Sequence, residues 1–321
     1  MVTGALGNFC LRASAGQHLD RPLVSPDGRT AGITNRGGRP HRTNEDSFLA
    51  IRDGAQTLLA VCDGVGGLPH GDVASTVAVK SLEYQFHSPG FSIKQAAIKA
   101  NRMVFEKSQR PSLSPTPPTI PVYFEKEDGT VEKAEFPAPP SPPDFCDEVT
   151  TEIGTTLVAV LINTKRALGV DAGDSKAFLI DRRNKIFVMN ENHNYSSRIY
   201  QALNHPRFPL HSPRHQEPKN YYEWERNYHL INPITASLGS HPDFFIFDHF
   251  SRRIRNGDRM LLTSDGLTNY LPYPKLVQIL LRFSPVEDTV CELFDATLSQ
   301  IREDGRHGDN ITILLHENSV N

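Results

Sequence analysis

The stretch LLAVCDGVGG, residues 58–67, runs five apolar residues into a carboxylate and then places three glycines in the next four positions. An apolar run of this length bounded by turn residues reads as a buried strand. Asp63-Gly64 at its end reads two ways. It is a turn, since Asp-Gly marks turns widely, or Asp63 is held at a strand end because something binds there.

Working outward, SFLAI (47–51) and TLLAVC (57–62) are short apolar runs joined by the Asp53-Gly54 turn, the pattern of a hairpin. A helix is predicted to start near Asp72, a candidate N-cap, and to run through VASTVAVKSLEYQF. A second is predicted from Ser92, with Ile93, Ala96, Ala97, Ala100 and Val104 on one face. Strands follow over 155–163, 166–173, 175–181 and 185–189, then at FFIFDHF and DRMLLTS, and NITILLHE (310–317) is the last. A short helix is predicted over 195–204. Another follows Phe283, with Ser284 as N-cap, Pro285 in the first turn and Glu287 completing a capping box. Strands joined by short turns, with helices in pairs, predict an α+β protein with largely antiparallel sheets.

Ten of the 24 prolines fall between Pro111 and Pro143. Proline removes ladder donors and breaks helices, so 109–150 reads as a surface insertion, with a small hairpin around Asp128-Gly129. Residues 1–30 read as an N-terminal extension, 31–317 as one catalytic domain containing the insertion and an irregular 190–240 region, and 318–321 as a tail. The net charge of −3 gives no general attraction to nucleic acid or an anionic membrane. The four cysteines are scattered without CxxC pairs, which fits a reducing compartment and not a zinc site. With no apolar run of membrane-spanning length and no basic-then-apolar leader, a cytoplasmic monomer is expected.

The acidic residues show a pattern. Asp63 follows LLAVC, Asp174 lies between ALGVDAG and SKAFLI, Asp265 follows RMLLTS, Asp309 precedes NITILL, and Glu45-Asp46 precedes SFLAI. Any one of these is more often a turn residue than a ligand. As a set, carboxylates gathered at sheet rims repel one another unless a cation joins them. Oxygen donors without a His or Cys cluster suit a hard ion such as Mg²⁺ or Mn²⁺. Two such ions sharing a carboxylate constitute a hydrolytic arrangement.

The motifs RTNEDS (42–47), AVCDGVGG (60–67), GTTLVAV (154–160), DAGDSKAFLI (171–180), LLTSDGL (261–267) and DGRHGDNITILL (304–315) resemble, in order, those of the metal-dependent protein Ser/Thr phosphatases of the 2C type, in a bacterial-like subgroup with DGVGG. The resemblance covers roughly residues 31 to 317 outside the insertion. It implies an α+β fold in which a central antiparallel β-sandwich is flanked by pairs of antiparallel helices, with a flap at 190–240. It also implies two Mg²⁺ or Mn²⁺ ions and a third, weaker site. Asp63 would bridge the two ions. Glu45 and the Gly64 carbonyl would complete one shell, Asp265 and Asp309 the other, with Asp46 nearby through water. Asp174, with Asp265, would build the third site. The implied reaction is hydrolysis of phosphoserine or phosphothreonine in protein substrates by a water activated between the metals.

Two departures from the family pattern stand out. The family's phosphate-binding arginine falls at His41 here, with Arg42 one residue later and Arg39 two earlier; Arg42 is the first candidate for that role and Arg39 the second. Val65 replaces a histidine that some members carry as a candidate general acid, as in many bacterial-type members. The alternatives are a silent pseudophosphatase acting as a binding scaffold and a two-metal nuclease. The first is disfavoured because Glu45, Asp63, Asp265 and Asp309 are all present. The second accounts for neither the ordered motifs nor the acidic net charge.

Overall fold

The computed structural model describes residues 2–3, 8–38, 43–65, 70–108, 119–125, 131–137, 153–191, 193, 234–242, 248–305 and 307–319. In chain order the elements are β1 (Val2–Thr3), β2 (Phe9–Ala13), β3 (Leu23–Val24), β4 (Thr30–Asn35), β5 (Ser47–Asp53), β6 (Gln56–Cys62), α1 (Gly71–Phe86) and α2 (Ile93–Ser108). Then come β7 (Thr119–Glu125), β8 (Val131–Pro137), β9 (Leu157–Ile162), β10 (Arg166–Ala172), β11 (Lys176–Ile180), β12 (Ile186–Val188) and β13 (Asp248–Arg253). The chain continues with β14 (Arg259–Thr263), three helices, α3 (Asp265–Thr268), α4 (Tyr273–Leu280) and α5 (Val286–Glu303), and finally β15 (Ile311–Glu317).

Two sheets carry the fold. One has seven strands in the order β1-β2-β5-β6-β9-β10-β13, the other six in the order β12-β11-β14-β15-β4-β3. Every strand pairing is antiparallel. Among the described residues β7 and β8 pair only with each other, where the small hairpin was expected.

The side-chain alternation explains why the strands read as unbroken apolar runs. On β5 and β6, Phe48, Ala50, Leu59 and Val61 join Leu179, Met260, Leu262 and Leu314 of the other sheet in one buried layer. Leu49, Ile51, Leu58, Ala60 and Cys62 point the other way, into a layer shared with Ala74, Ala78, Leu82, Ala97 and Ala100 of α1 and α2. The second sheet is covered in the same way, with Phe178, Leu261, Ile313 and Leu315 packed on Leu276, Ile279, Val290 and Leu293 of α4 and α5. Each sheet is therefore apolar on both faces and the molecule is layered helix, sheet, sheet, helix. Burying each of the larger side chains contributes about 1.5–3 kcal/mol.

Several expectations are corrected. The segment read as an N-terminal extension supplies β2, paired with β5 and burying Leu11 and Ala13. α1 begins one residue before Asp72, with His70 at the N-cap position in the left-handed region, so Asp72 sits in the first turn. α5 has Pro285 rather than Ser284 as its N-cap and no side-chain cap. Thr289 Oγ1 reaches back to the carbonyls of Ser284 and Pro285 instead. α3 and α4 were not foreseen. The helix expected over 195–204 and the turn at Asp128-Gly129 lie outside the described residues. Among the described residues no helix is long and apolar enough to cross a membrane.

One buried group makes stability depend on pH. His316, at 1% exposure, lies with Nδ1 2.8 Å from Thr30 Oγ1. Burial, then the Arg52 charge, pushes its imidazole down from 6.5 to about 4. Above pH 6.5 the ring is neutral folded or unfolded and costs nothing. As pH falls from there towards 4, only the unfolded chain takes up the proton, so stability falls by up to about 1.4 kcal/mol per pH unit. His316→Gln should flatten the slope of unfolding free energy against pH in this window, measured by urea melts. An unchanged slope contradicts the assignment.

Candidate metal centre

Register brings the carboxylates to one end of the sandwich. Pairing of Ser47 with Cys62 sets Glu45-Asp46, before β5, opposite Asp63, after β6. Pairing of Thr263 with Ile313 does the same in the other sheet for Asp265, after β14, and Asp309, before β15. Asp174 lies between β10 of the first sheet and β11 of the second, where the chain crosses over.

Asp63 is the centre of the group. The charges of Asp46 and Asp265, which come from the two different sheets, both act on its carboxyl. Although Asp63 is partly open to solvent, burial pushes it well above the ordinary carboxylate range, reinforced by the charges of Asp46, Asp265, Asp309 and Asp174. Asp265 is raised by the same causes, burial first and then Asp174, Asp309 and Asp46. Burial pushes Asp46 up to about 6. Like charges crowded into one buried site cannot all stay ionised without a proton or a cation among them. Among the described residues no three His, Cys, Asp or Glu side chains already surround one point as a finished metal shell would.

The backbone is arranged around the same group. Gly64 N donates to Glu45 O at 3.2 Å, and Gly64 forms an isolated bridge with Thr155. A Cβ at Gly64 would lie 2.6 Å from the carbonyl group of Gly71 and 2.8 Å from Glu45 Cβ, so a side chain there would separate Glu45 from Asp63. Thr156 grips Asp63 from both sides, its Oγ1 accepting the Asp63 N–H at 3.0 Å and its own N–H donating to Asp63 O at 2.8 Å.

Other residues that orient these carboxylates escaped the reading of the sequence. Ser264 Oγ donates to Asp46 Oδ2 at 2.7 Å and accepts the Thr312 N–H at 3.0 Å. Asn310 Oδ1 accepts the Glu45 N–H at 2.9 Å, and Asn269 Nδ2 donates to Asp265 Oδ2 at 2.8 Å. Ser264 and Asn310 each adjoin a singled-out aspartate, and that adjacency was the available signal. Asp46 Oδ1 is buried and has no hydrogen-bond partner among the described residues. An ionised oxygen in that state is costly, and a cation would satisfy it. Oxygen-only donors, a crowded carboxylate pair on either side of Asp63 and a carbonyl at Gly64 without a side chain together fit hard divalent ions.

The Ser264 contact predicts a stability effect. Ser264→Ala leaves the Asp46 carboxylate and the Thr312 N–H without their shared partner. It should cost about 2–3 kcal/mol in urea unfolding. A change within about 0.5 kcal/mol of wild type would mean the contact is not made.

The family model for protein phosphatase 2C matches residues 39–303. The chain belongs to this family. Membership makes it a protein phosphatase of the 2C type. It is 24% identical over 295 residues to the serine/threonine phosphatase stp of Listeria monocytogenes, covering 89% of this chain and 94% of the relative. Its fold resembles that of the serine/threonine phosphatase Stp1 from Staphylococcus aureus, with a TM-score of 0.65, 20% identity, and 95% and 99% of the two chains covered. It also resembles the catalytic domain of the serine/threonine protein phosphatase PstP, whose crystal structure contains two manganese ions, with a TM-score of 0.59, 22% identity, and 90% and 97% covered.

The phosphatase thus brings Asp46, Asp63, Asp174, Asp265 and Asp309 to one rim, with Glu45 and Gly64 beside Asp63. Arg39, Arg42, His41, Gly66, Gly67 and the greater part of 190–240 lie outside the described residues. Val65, partly exposed, donates its N–H to Gly154 O at 3.0 Å.

Proposed function

We propose that the phosphatase hydrolyses phosphoserine and phosphothreonine in protein substrates with Mg²⁺ or Mn²⁺ held at the Asp63 rim. The observation that carries the reading is the convergence of carboxylates from both sheets at one end of the sandwich, Asp46 and Asp63 from one and Asp265 and Asp309 from the other, with the charges of the other three all acting on Asp63. In this reading Asp63 is shared between two ions. Glu45 and the Gly64 carbonyl serve one, Asp265 and Asp309 the other, and Asp46 acts from behind through water. Asp174 with Asp265 provides a weaker third position. The names of the relatives support Ser/Thr specificity, and the manganese pair in PstP supports the cofactor.

When bound, the ions acidify the attacking water and neutralise charge on the phosphoryl oxygens. The chain's own residues supply placement. Thr156 fixes the Asp63 backbone, Ser264 and Asn269 orient the outer carboxylates, and Asn310 sets Glu45. Arg42, or Arg39 beside it, is proposed to clamp the substrate phosphate. Val65 has no proton to give, so the leaving alkoxide takes its proton from water at the site.

The test is phosphate release from a phosphothreonine peptide and from p-nitrophenyl phosphate, with Mn²⁺, with Mg²⁺ and with chelator. Release that requires a divalent ion is expected on both substrates. No metal-dependent release would sink the enzyme reading and leave the binding scaffold.

A further inference from the structure

Next to the Asp63 group but outside it lies a histidine with an unusual set of bonds. His193 donates its backbone N–H to Gly173 O at 2.8 Å, and its ring Nδ1 receives the Gly173 N–H at 3.1 Å. A backbone N–H can only donate, so Nδ1 is the acceptor and the ring proton sits on Nε2. That nitrogen faces Asp248 Oδ2, on β13, at 3.2 Å. The imidazole is only 11% exposed. Asp171 Oδ2 lies 3.9 Å from Nδ1, and the His193 carbonyl accepts the Thr235 N–H at 2.7 Å.

The two bonds to Gly173 have a geometric consequence. The N–H of Gly173 belongs to the peptide plane before its Cα, and the C=O to the plane that leads into Asp174. Holding both groups fixes both dihedrals of Gly173, whose φ is +106°, and so the direction in which Asp174 leaves β10. On the far side of Asp174, Asn190 Nδ2 donates to Ser175 O at 2.8 Å and Asn190 Oδ1 accepts the Ala177 N–H at 2.8 Å. Asp174 is thus bracketed by residues 190 and 193.

We propose that His193 is a positioning residue for Asp174, its neutral Nδ1 and its backbone N–H locking Gly173 so that the carboxylate faces Asp265. The proposal rests on the reading of Asp174 and Asp265 as a cation position. His193 touches neither cation nor substrate; it acts through the Gly173 backbone, and Asp248 holds the ring in the tautomer that can accept. Groups of this kind, one bond removed from a ligand, typically change metal affinity 10–100-fold when altered.

The experiment is equilibrium Mn²⁺ binding to the metal-free full chain, read from the spin-resonance signal of free Mn²⁺. Wild type is expected to show a tighter and a weaker class of sites. Asp174→Asn should remove the weaker class, and Asp63→Asn should disrupt the tighter one. His193→Gln, whose amide reaches towards Asp248 but leaves Gly173 without an acceptor, should weaken the weaker class by about 10-fold or more and leave the tighter class alone. His193→Asn, whose Oδ1 falls where Nδ1 sits, should bind within about threefold of wild type. Should His193→Gln not fold, as judged by circular dichroism, Asp248→Ala removes the acceptor of the ring Nε2–H from a partly exposed position and should weaken the same class several-fold. Two results overturn the role of His193: wild-type binding in His193→Gln, or equal weakening in the Gln and Asn variants, the mark of a merely structural residue. If Asp63→Asn and Asp174→Asn bind Mn²⁺ like wild type, the metal reading itself fails and the His193 proposal falls with it.

Discussion

Asp63→Asn should abolish phosphatase activity and, in the metal-free protein, raise the melting temperature. Under the proposed role of Asp63, activity falls because the carboxylate shared by the two ions is lost. Removing the charge that holds the ions should lower kcat/KM by about 10³-fold or more, several kcal/mol of transition-state stabilisation. Stability rises because the native carboxyl is raised by burial and by the charges of four neighbouring acids. An amide carries no charge, and its Nδ2 can donate to either neighbour. Relief of about 1–2 kcal/mol is expected, a gain typical of releasing strain at a functional site. At roughly 2–4 °C per kcal/mol for a domain of this size, that is several degrees by calorimetry. Adding Mn²⁺ should reverse the order, since the wild type, which keeps the tighter sites, gains more stability by binding it. Loss of activity together with loss of metal-free stability would make Asp63 a structural residue.

Gly266→Ala is the second large effect. A Cβ at this position would lie 1.8 Å from the carbonyl oxygen of Asn310. Backbone oxygen cannot yield as a flexible side-chain tip can, so α3 must move away from β15. Asp265 starts α3 and Asp309 precedes Asn310, so the movement separates the two carboxylates supplied by the second sheet. A destabilisation of about 3 kcal/mol is expected from overpacking, measured by urea unfolding. The fraction that remains folded should lose about 100-fold or more in kcat, because an ångström of misplacement has that effect on a positioned site. A variant with wild-type stability and activity would show that the two backbones do not meet.

How much of this was legible depended on how local each signal was. Asp63, Asp265 and Asp309 stood out because each breaks an apolar strand beside Gly or Asn, and the strands themselves were marked by residues apolar on both faces, as on β5 and β6. β2 was hidden because five residues, FCLRA, next to a glycine-rich start carry too little pattern; its place is set by pairing with β5. α3 has four residues, fewer than a helical period can reveal, and the prolines at 272 and 274 mask α4. At α5 the serine, proline and glutamate were all present, yet the helix starts one residue later, with Pro285 at the N-cap position and no side-chain cap. His193 gave no signal, since its meaning lies in a bond to Gly173, twenty positions earlier in the chain and on another strand end.

The most direct test of the central claim is anomalous diffraction from crystals of the phosphatase grown with Mn²⁺. Two peaks at the rim, both in contact with the Asp63 carboxylate, with Asp265 and Asp309 on one and Glu45 on the other, are the predicted result. No peak at the rim, or peaks of which none touches Asp63, would contradict it.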